Sequence, residues 1–192
     1  MRILGICGSL RRDSHNRSLL RAAGRLLPPD AELVEWEGLR AVPPFDEDAE
    51  ASPPPAVVEL RAAIAEADAV LVATPEYNAS LPGQLKNALD WASRPAGESV
   101  LRGKPAAVVG ASTSMFGAVW AQAELRKVLS TIGARVVDGE LAVAHAPEHV
   151  DRDGRLAGQQ LESRLRELLA ELVSAAGGRE TQSEIREEVL AA

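Results

Sequence analysis

Short apolar runs that alternate with helical segments constrain the fold of this 192-residue chain more than any other feature. Each run is rich in Val, Ile, Leu or Ala, and apolar residues recur at helical spacing in the segment after it. The runs predict five strands, at residues 3–7, 31–36, 69–74, 105–111 and 136–143. Because a helix separates each strand from the next, we expect a parallel sheet with helices on both faces.

The segments that follow the strands predict five helices. Four of them lie at residues 16–27, 56–67, 82–93 and 153–176, and the apolar face of the remaining one carries Leu125, Val128, Leu129 and Ile132. Gly177 and Gly178 predict the end of the last helix. Five parallel strands favour the flavodoxin-like order 2-1-3-4-5 over the six-stranded dinucleotide-binding sheet. The predicted fold is therefore an α/β three-layer sandwich.

Length and composition indicate one domain with an aliphatic core. We assign residues 1–178 to this domain and residues 179–192 to an acidic C-terminal tail that can add a short helix. The chain has three Trp, two Phe and one Tyr. Its core must therefore be built mainly from Ala, Val, Leu and Ile.

Charge and cysteine content narrow the classes of function. A formal net charge of −7 without clustered Lys or Arg argues against a nucleic-acid partner. No apolar run approaches the length of a membrane span, and the N-terminus lacks a signal-peptide core. The single cysteine, Cys7, excludes an internal disulfide and a cysteine-pair metal site, and it favours the cytoplasm. We expect no metal at His145 and His149, because Pro147 between them interrupts a shared helix face.

Three polar loops are expected at one edge of the sheet, where ligands bind in this strand order. They follow the first, third and fourth strands and span residues 8–16, 74–83 and 112–117. The first loop places Ser9, Arg11 and Ser14 just before a helix, which suits a phosphate group. An ordinary polar loop with Ser14 as helix cap explains the same residues. The other loops combine short polar side chains with Tyr77 or Phe116, a mixture suited to a flat heterocycle.

Other nucleotide-binding patterns do not match. The first loop lacks the glycine spacing of a dinucleotide-binding turn, and the chain has no P-loop pattern. Without those glycines, Glu35 and Glu37 are interpreted as solvated edge residues rather than as ligands for a ribose.

Taken together, the three loops resemble those of the NADPH-dependent FMN reductase family, flavodoxin-like enzymes that reduce quinones, chromate and azo compounds. The resemblance lies in GSLRRDSHNRSLLRAA at residues 8–23, TPEYNASLPGQLKNALDWASRP at 74–95 and GKPAAVVGASTSMFGAVWAQAELRKVL at 103–129. The motifs occur in the family's order, and the similarity spans most of residues 1–145.

The resemblance implies that these loops bind FMN. Residues matching the family's phosphate loop are Ser9, Arg11, Ser14 and Asn16, with His15 where an aromatic residue is usual. The segment implied to contact the ribityl chain and flavin ring consists of Pro75, Glu76, Tyr77 and Asn78. Ser112 and Thr113 match the loop along the polar edge of the ring.

The implied activity is that of an NAD(P)H-dependent oxidoreductase. NADPH or NADH would pass a hydride to N5 of FMN, and the electrons would then reach quinones, azo compounds, metal oxyanions or free flavin in a ping-pong cycle. Because the flavin carries the chemistry, no side chain is assigned as catalytic acid, base or nucleophile. Two alternatives stay open: a flavodoxin-like electron carrier, and a scaffold protein that no longer holds flavin.

The resemblance also implies a homodimer or homotetramer with the flavin near the subunit interface, where Trp91 and Trp120 are the candidate anchors. Phe45 lies in a loop that could reach the rim of the same site. Three positions depart from the family pattern. Ser114 and Ala118 replace glycines, and Trp120 stands where an arginine is common. A left-handed backbone at residue 114 would strain the serine there.

Overall fold

The computed structural model describes residues 1–191, with side chains described through Gly178. Within this range, six strands form one parallel sheet: β1 (Arg2–Cys7), β2 (Glu32–Trp36), β3 (Ala69–Thr74), β4 (Pro105–Ala111), β5 (Arg135–Val136) and β6 (Leu141–Val143). The strand order is β2-β1-β3-β4-β5, and β6 also pairs with β4. The predicted flavodoxin-like order is therefore confirmed.

Helices cover both faces of this sheet, as predicted. They are α1 (His15–Leu26), α2 (Pro55–Glu66), α3 (Gly83–Ala92), α4 (Val119–Thr131), α5 (Ala146–His149) and α6 (Gln159–Ala191). One buried cluster joins the sheet to α1 and α6, and the other joins it to α2, α3 and α4. Adjacent residues of β1 point to opposite layers, so that Ile3 belongs to the first cluster and Leu4 to the second. These two layers of side chains form a largely aliphatic core.

The prediction of one strand over residues 136–143 is wrong, because the chain leaves the sheet between β5 and β6. The N–H of Val137 still donates to the carbonyl oxygen of Ala106 in β4 at 2.9 Å, but the backbone after Val137 is bonded to side chains. Arg126 donates from Nη1 to the carbonyl oxygen of Gly139 at 3.2 Å, and the N–H of Gly139 donates to Oε2 of Glu171 at 2.9 Å. These contacts satisfy the backbone groups that a continuous ladder would have used.

Both predicted ends of the last helix are also wrong. The helix begins at Gln159 rather than at residue 153, since the preceding Gly158 has a left-handed φ of 92°. At the other end, Gly177 and Gly178 do not adopt the left-handed conformation of a terminating glycine, and α6 continues to Ala191. The side chains after Gly178 lie outside the described part, so the assignment of residues 179–192 as an acidic tail stays a prediction.

The placement of Trp91 corrects the expectation that it anchors a subunit interface. Its side chain is 1% exposed and belongs to the core on the α2, α3 and α4 face. The indole Nε1–H donates to the carbonyl oxygen of Pro43 at 3.0 Å, and the Phe45 ring packs edge-on at 4.9 Å between centroids. Trp91 and Phe45 thus attach the proline-rich loop at residues 40–55 to α3. Phe45 does not line the candidate site.

Candidate functional site

The carboxyl ends of β1, β3 and β4 surround a cavity of about 140 Å³. Ten of the eleven residues predicted for the site line it: Ser9, Arg11, Ser14, His15, Asn16, Pro75, Glu76, Tyr77, Ser112 and Thr113. Asn78 is the predicted residue that does not, and Ala111 lines the cavity without having been predicted. The topology therefore brings the three polar loops together, as expected for the ends of neighbouring parallel strands.

The first loop is organised for an anion. Oγ of Ser14 accepts from the N–H of Asn16 at 3.2 Å and caps α1, while Oγ of Ser9 accepts from the N–H of Arg11 at 3.3 Å. Each serine keeps its hydroxyl hydrogen for donation into the cavity. Within the described part of the chain, no ion pair engages the Arg11 guanidinium. The Arg11 cation, the two serine hydroxyls and the N-terminus of α1 all favour a negatively charged group.

Asn16 has a structural connection that the sequence did not predict. Its Nδ2 donates to the carbonyl oxygen of Ala111 at 2.9 Å, and its Oδ1 accepts from the N–H of Ala111 at 2.9 Å. The Asn16 side chain is buried. This amide therefore joins the start of α1 to the end of β4, across the floor of the cavity.

His15 in the first loop is partly buried next to a positive charge. Partial burial and, secondarily, the positive charge of Arg11 lower the pKa of His15 below its ordinary value. The imidazole is therefore neutral at pH 7, and it presents one donor and one acceptor nitrogen to the cavity.

Two further residues hold the first loop from outside the cavity. Nη2 of Arg40, in the turn after β2, donates to the carbonyl oxygen of Leu10 at 2.8 Å. Sγ of Cys7 lies 3.6 Å from the carbonyl oxygen of Ser9 and 3.7 Å from Oγ of Ser14. Burial raises the pKa of the Cys7 thiol, so that it stays protonated near neutral pH. Cys7 is thus a core residue. The contact of Arg40 was not predicted, since no local pattern links it to residue 10.

The loop after β3 carries a tight turn. The N–H of Tyr77 donates to the carbonyl oxygen of Ser80 at 3.0 Å, and the N–H of Ser80 donates to the carbonyl oxygen of Tyr77 at 3.2 Å. Asn78 and Ala79 between them have φ of 54° and 59°. Two successive left-handed residues define a type I′ turn, in which glycine is the usual second residue. Asn78 lies at the exposed tip, which explains why it does not line the cavity.

Glu76 points away from this turn, toward α4. Its Oε2 accepts from the backbone N–H groups of Trp120 at 3.0 Å and Ala121 at 3.1 Å. The sequence led us to expect a contact with the ribityl chain or flavin ring, and nothing near residue 76 signalled a helix cap 44 residues later. Glu76 thus lines the cavity, and its carboxylate caps α4.

The loop after β4 contains Ser114 and Ala118, the two residues that replace glycines of the family pattern. Ser114 has no left-handed φ, so the strain considered for it does not arise; its N–H donates to Oγ of Ser112 at 3.1 Å. The left-handed residues are Gly117 and Ala118, with φ of 61° and 65°. A Cβ at residue 117 would lie 2.9 Å from backbone atoms of Val143 and Ala144, which requires glycine there. Strain therefore falls on Ala118.

Three aromatic side chains are exposed in the loops after β3 and β4 and at the start of α4. Phe116 and Trp120 pack edge-on, with ring centroids 4.8 Å apart, and both are 48% exposed. Tyr77 is 53% exposed and lines the cavity itself. Together with Met115 and Val119, these rings leave an exposed apolar surface beside the site.

Several acidic residues have partners away from the cavity. Oε1 of Glu47 and Oε1 of Glu50 each lie 3.3 Å from the Arg94 guanidinium, so this acidic loop is tied to the end of α3. Glu35 pairs with Arg17, with Nε and Oε1 2.5 Å apart. Burial alone would lower the pKa of Arg17, but the hydrogen bond and charge of Glu35 outweigh burial and raise it. The interpretation of Glu35 as a solvated residue is therefore corrected to a half-buried ion pair.

Among the described residues, no three His, Cys, Asp or Glu side chains come together in a way that could hold a metal ion. No helix among them is both long enough and apolar enough to cross a bilayer.

Comparison with known proteins identifies the family. The sequence profile described as NADPH-dependent FMN reductase matches residues 1–148. The chain belongs to the NADPH-dependent FMN reductase family. Membership identifies it as an oxidoreductase that works with FMN and a nicotinamide donor.

Relatives of this FMN reductase support the assignment over most of its length. An NAD(P)H-dependent FMN reductase of Pseudomonas aeruginosa is 42% identical over 177 residues, which cover 91% of this chain and 92% of the relative. A 2-hydroxy-1,4-benzoquinone reductase of a Burkholderia species is 38% identical and covers 83% of this chain and 87% of its own.

Solved structures agree with the fold. The flavoenzyme NAD(P)H:(acceptor) oxidoreductase FerB of Paracoccus denitrificans superposes with a TM-score of 0.83 at 34% identity, covering 92% of this chain and 97% of its own. A variant flavodoxin of Pseudomonas aeruginosa superposes with a TM-score of 0.57 at 17% identity, over 92% of this chain and 99% of its own, and so shows the fold alone.

Proposed function

We propose that this FMN reductase transfers electrons from NADPH or NADH to quinones in a ping-pong cycle, at the cavity formed by the three loops. The observation that carries the proposal is the convergence of ten predicted site residues on one cavity. Relatives named as quinone reductases support the acceptor class. Azo compounds, metal oxyanions and free flavin are further acceptors that the same assay can compare.

The residues at the cavity fit FMN. The Arg11 guanidinium and the hydroxyls of Ser9 and Ser14 supply donors for a phosphate at the start of α1. Tyr77 supplies aromatic surface for a ring. A cavity of about 140 Å³ is smaller than ligand clefts of roughly 300–1,000 Å³. It therefore suits the phosphate and chain of the cofactor, and Tyr77 would supply a contact for the ring.

Bound FMN supplies the two-electron redox chemistry, and the chain supplies binding, orientation and exclusion of other reactions. Arg11 and the α1 N-terminus would hold the negative end of the cofactor. The polar loop of Ser112 and Thr113 offers donors along one edge, where they would stabilise negative charge that develops on reduction. A nicotinamide donor and an acceptor that use this one cavity in turn would follow a ping-pong order.

The test is the spectrum and kinetics of the purified chain. We expect the absorption of oxidised flavin, its bleaching by NADPH, and steady NADPH oxidation in the presence of menadione. Initial rates at several quinone concentrations should give parallel double-reciprocal lines. Slow turnover with bound flavin would favour the electron carrier, and a colourless chain that ignores added FMN would favour the scaffold. Intersecting lines would contradict the ping-pong order.

We also propose that the chain acts in the cytoplasm, where nicotinamide donors are supplied, and that it forms a homodimer or homotetramer through the apolar surface of Met115, Phe116, Val119 and Trp120. Exposed apolar patches rimmed by polar residues mark interaction surfaces. Exposure of 48% at Trp120 agrees with such a role. The variant Trp120→Glu should reduce the mass measured by light scattering to that of a smaller species. An unchanged mass would rule out this interface.

A further inference from the structure

The start of α4 has no capping side chain of its own. The preceding residue, Ala118, is left-handed and offers no side-chain acceptor. The first N–H groups of a helix require acceptors, and a carboxylate is favoured there by the helix dipole. Glu76 provides that acceptor by binding the N–H groups of both Trp120 and Ala121 through one oxygen. The cap of α4 is therefore supplied by the loop after β3.

A second carboxylate makes the reciprocal contact. Glu124, one turn into α4, accepts from the Ser80 hydroxyl at 2.5 Å and from the N–H of Leu81 at 3.4 Å, both through Oε2. The loop thus binds the helix through Glu76, and the helix binds the loop through Glu124. We refer to Glu76 and Glu124 as the carboxylate clamp.

The clamp encloses the turn at Tyr77 and Ser80. One carboxylate lies just before this turn, and the other holds the residue that ends it. The turn contains left-handed Asn78 and Ala79, a conformation that side-chain-bearing residues adopt at a cost. Contacts on both sides keep the turn in place despite that cost. Glu76 and Tyr77 also line the cavity, so the clamp acts directly beside the candidate site.

We propose that Glu76 and Glu124 are positioning residues for the FMN site, which hold residues 75–78 in their binding conformation before the cofactor arrives. The proposal rests on the proposed function, because it takes this loop to be part of the FMN site. A loop that is already ordered loses less conformational freedom on binding, so preorganisation raises affinity. In this role the carboxylates act on α4 and on the turn, rather than on the flavin.

The experiment is a titration of the full-length chain, freed of flavin, with FMN, followed by flavin fluorescence. Glu76→Ala removes both bonds to α4 and should weaken FMN binding about ten-fold, equal to about 1.4 kcal/mol. Glu124→Ala leaves the helix cap intact and should weaken binding about three-fold. Glu76→Gln keeps an oxygen that can accept from α4, and its affinity should stay within about two-fold of the parent.

Matched controls separate the clamp from general effects. Glu66→Ala removes a carboxylate from an exposed ion pair with Arg2, at the opposite edge of the sheet, and should leave FMN affinity unchanged. Amide hydrogen exchange should accelerate at Trp120 and Ala121 in Glu76→Ala, while amides of β3 and β4 keep their protection. If Glu76→Ala does not fold, the FMN affinity of Glu124→Ala tests the proposal, because this variant keeps the Glu76 cap of α4.

Each outcome has a distinct meaning. Unchanged FMN affinity in the two alanine variants would overturn the clamp while leaving the proposed function intact. Equal losses in Glu76→Gln and Glu76→Ala would also overturn it, since they would point to the charge of Glu76 acting on the cofactor. Failure of the parent chain to bind FMN would overturn the proposed function, and the clamp proposal with it.

Discussion

In the loop at residues 8–16, here called the phosphate side, the two serines are held by local contacts, whereas the turn and the helix start of the ring side, formed by residues 75–82 and 112–118, are joined by distant ones. On the phosphate side, Ser14 caps the helix that it precedes, and Ser9 binds a residue two positions away. On the ring side, Glu76 and Glu124 reach across 44 residues. Local contacts preorganise an anion site from sequence neighbours, but the ring side exists only once β3, β4 and α4 have packed.

The largest effect is expected where the two sides meet, at Asn16. Asn16→Ala removes two buried hydrogen bonds and leaves the N–H and C=O of Ala111 without their side-chain partners. We expect the free energy of unfolding to fall by about 2–4 kcal/mol, measured by urea denaturation. Ser18→Ala, on the same helix and with a weaker 3.4 Å contact, is the matched control and should cost less than about 1 kcal/mol. Equal losses of unfolding free energy in Asn16→Ala and Ser18→Ala would show that the bonds between Asn16 and Ala111 do not couple the two sides.

Arg11 tests whether the phosphate side provides most of the cofactor affinity. Arg11→Ala should weaken FMN binding about 10- to 100-fold, since charge-assisted hydrogen bonds contribute about 1.5–3 kcal/mol. Fluorescence titration measures the loss, which should shrink at high salt. Arg12→Ala is the matched control, because Arg12 is exposed and does not line the cavity. Full flavin occupancy in Arg11→Ala would show that the FMN phosphate does not bind at Arg11.

The strained positions of the ring side predict a smaller, stabilising effect. Ala79 is exposed and left-handed, so Ala79→Gly relieves strain without creating a cavity and should add about 0.5–1 kcal/mol to the free energy of unfolding. Ala118 is equally left-handed but fully buried. Ala118→Gly loses a packed methyl group worth about 0.8 kcal/mol, so we expect almost no net change. Destabilisation by Ala79→Gly would mean that the turn is not strained.

The smallest effect concerns pH and the phosphate side. The pKa of His15 is lower in the folded chain than in the unfolded chain. The unfolded state therefore binds more protons as the pH falls through the ordinary histidine range near 6.5, and this contribution to stability is lost on acidification. Urea denaturation at pH 7.5 and 5.5 should show a smaller drop in stability for His15→Gln than for the parent. An identical drop would exclude His15 as its source.

Much of the fold was predictable because its signals are local. The strands at residues 69–74 and 105–111 were predicted with the bounds observed, since buried parallel strands are continuous apolar runs between polar loops. The failures have equally physical causes. Residues 136–143 read as one strand, but Arg126 and Glu171 bind the backbone around Gly139 and divide it. Neither residue is adjacent in sequence, so no local pattern could have shown the break.

The aromatic residues show the same limit within the site. Tyr77 was expected at the cavity and lines it, whereas Phe116 packs against Trp120 and does not line the cavity. Trp91 was assigned to an interface and is buried in the core. A tryptophan on a helix has the same sequence signature whether its face meets solvent or a loop. The proline-rich loop, bound through Pro43 and Phe45, decides which one it meets.

By itself, the sequence determined the α/β class, the strand order and the identity of the loops that meet at the cavity, because periodicity and the right-handed crossover rule leave few other arrangements. Tertiary structure alone decided what each polar side chain does there. Asn16 binds the end of β4, Glu76 caps α4, and strain falls on Ala118 rather than on Ser114. A hydrogen-bond partner is set by position in space, and for these side chains that position depends on elements far away along the chain.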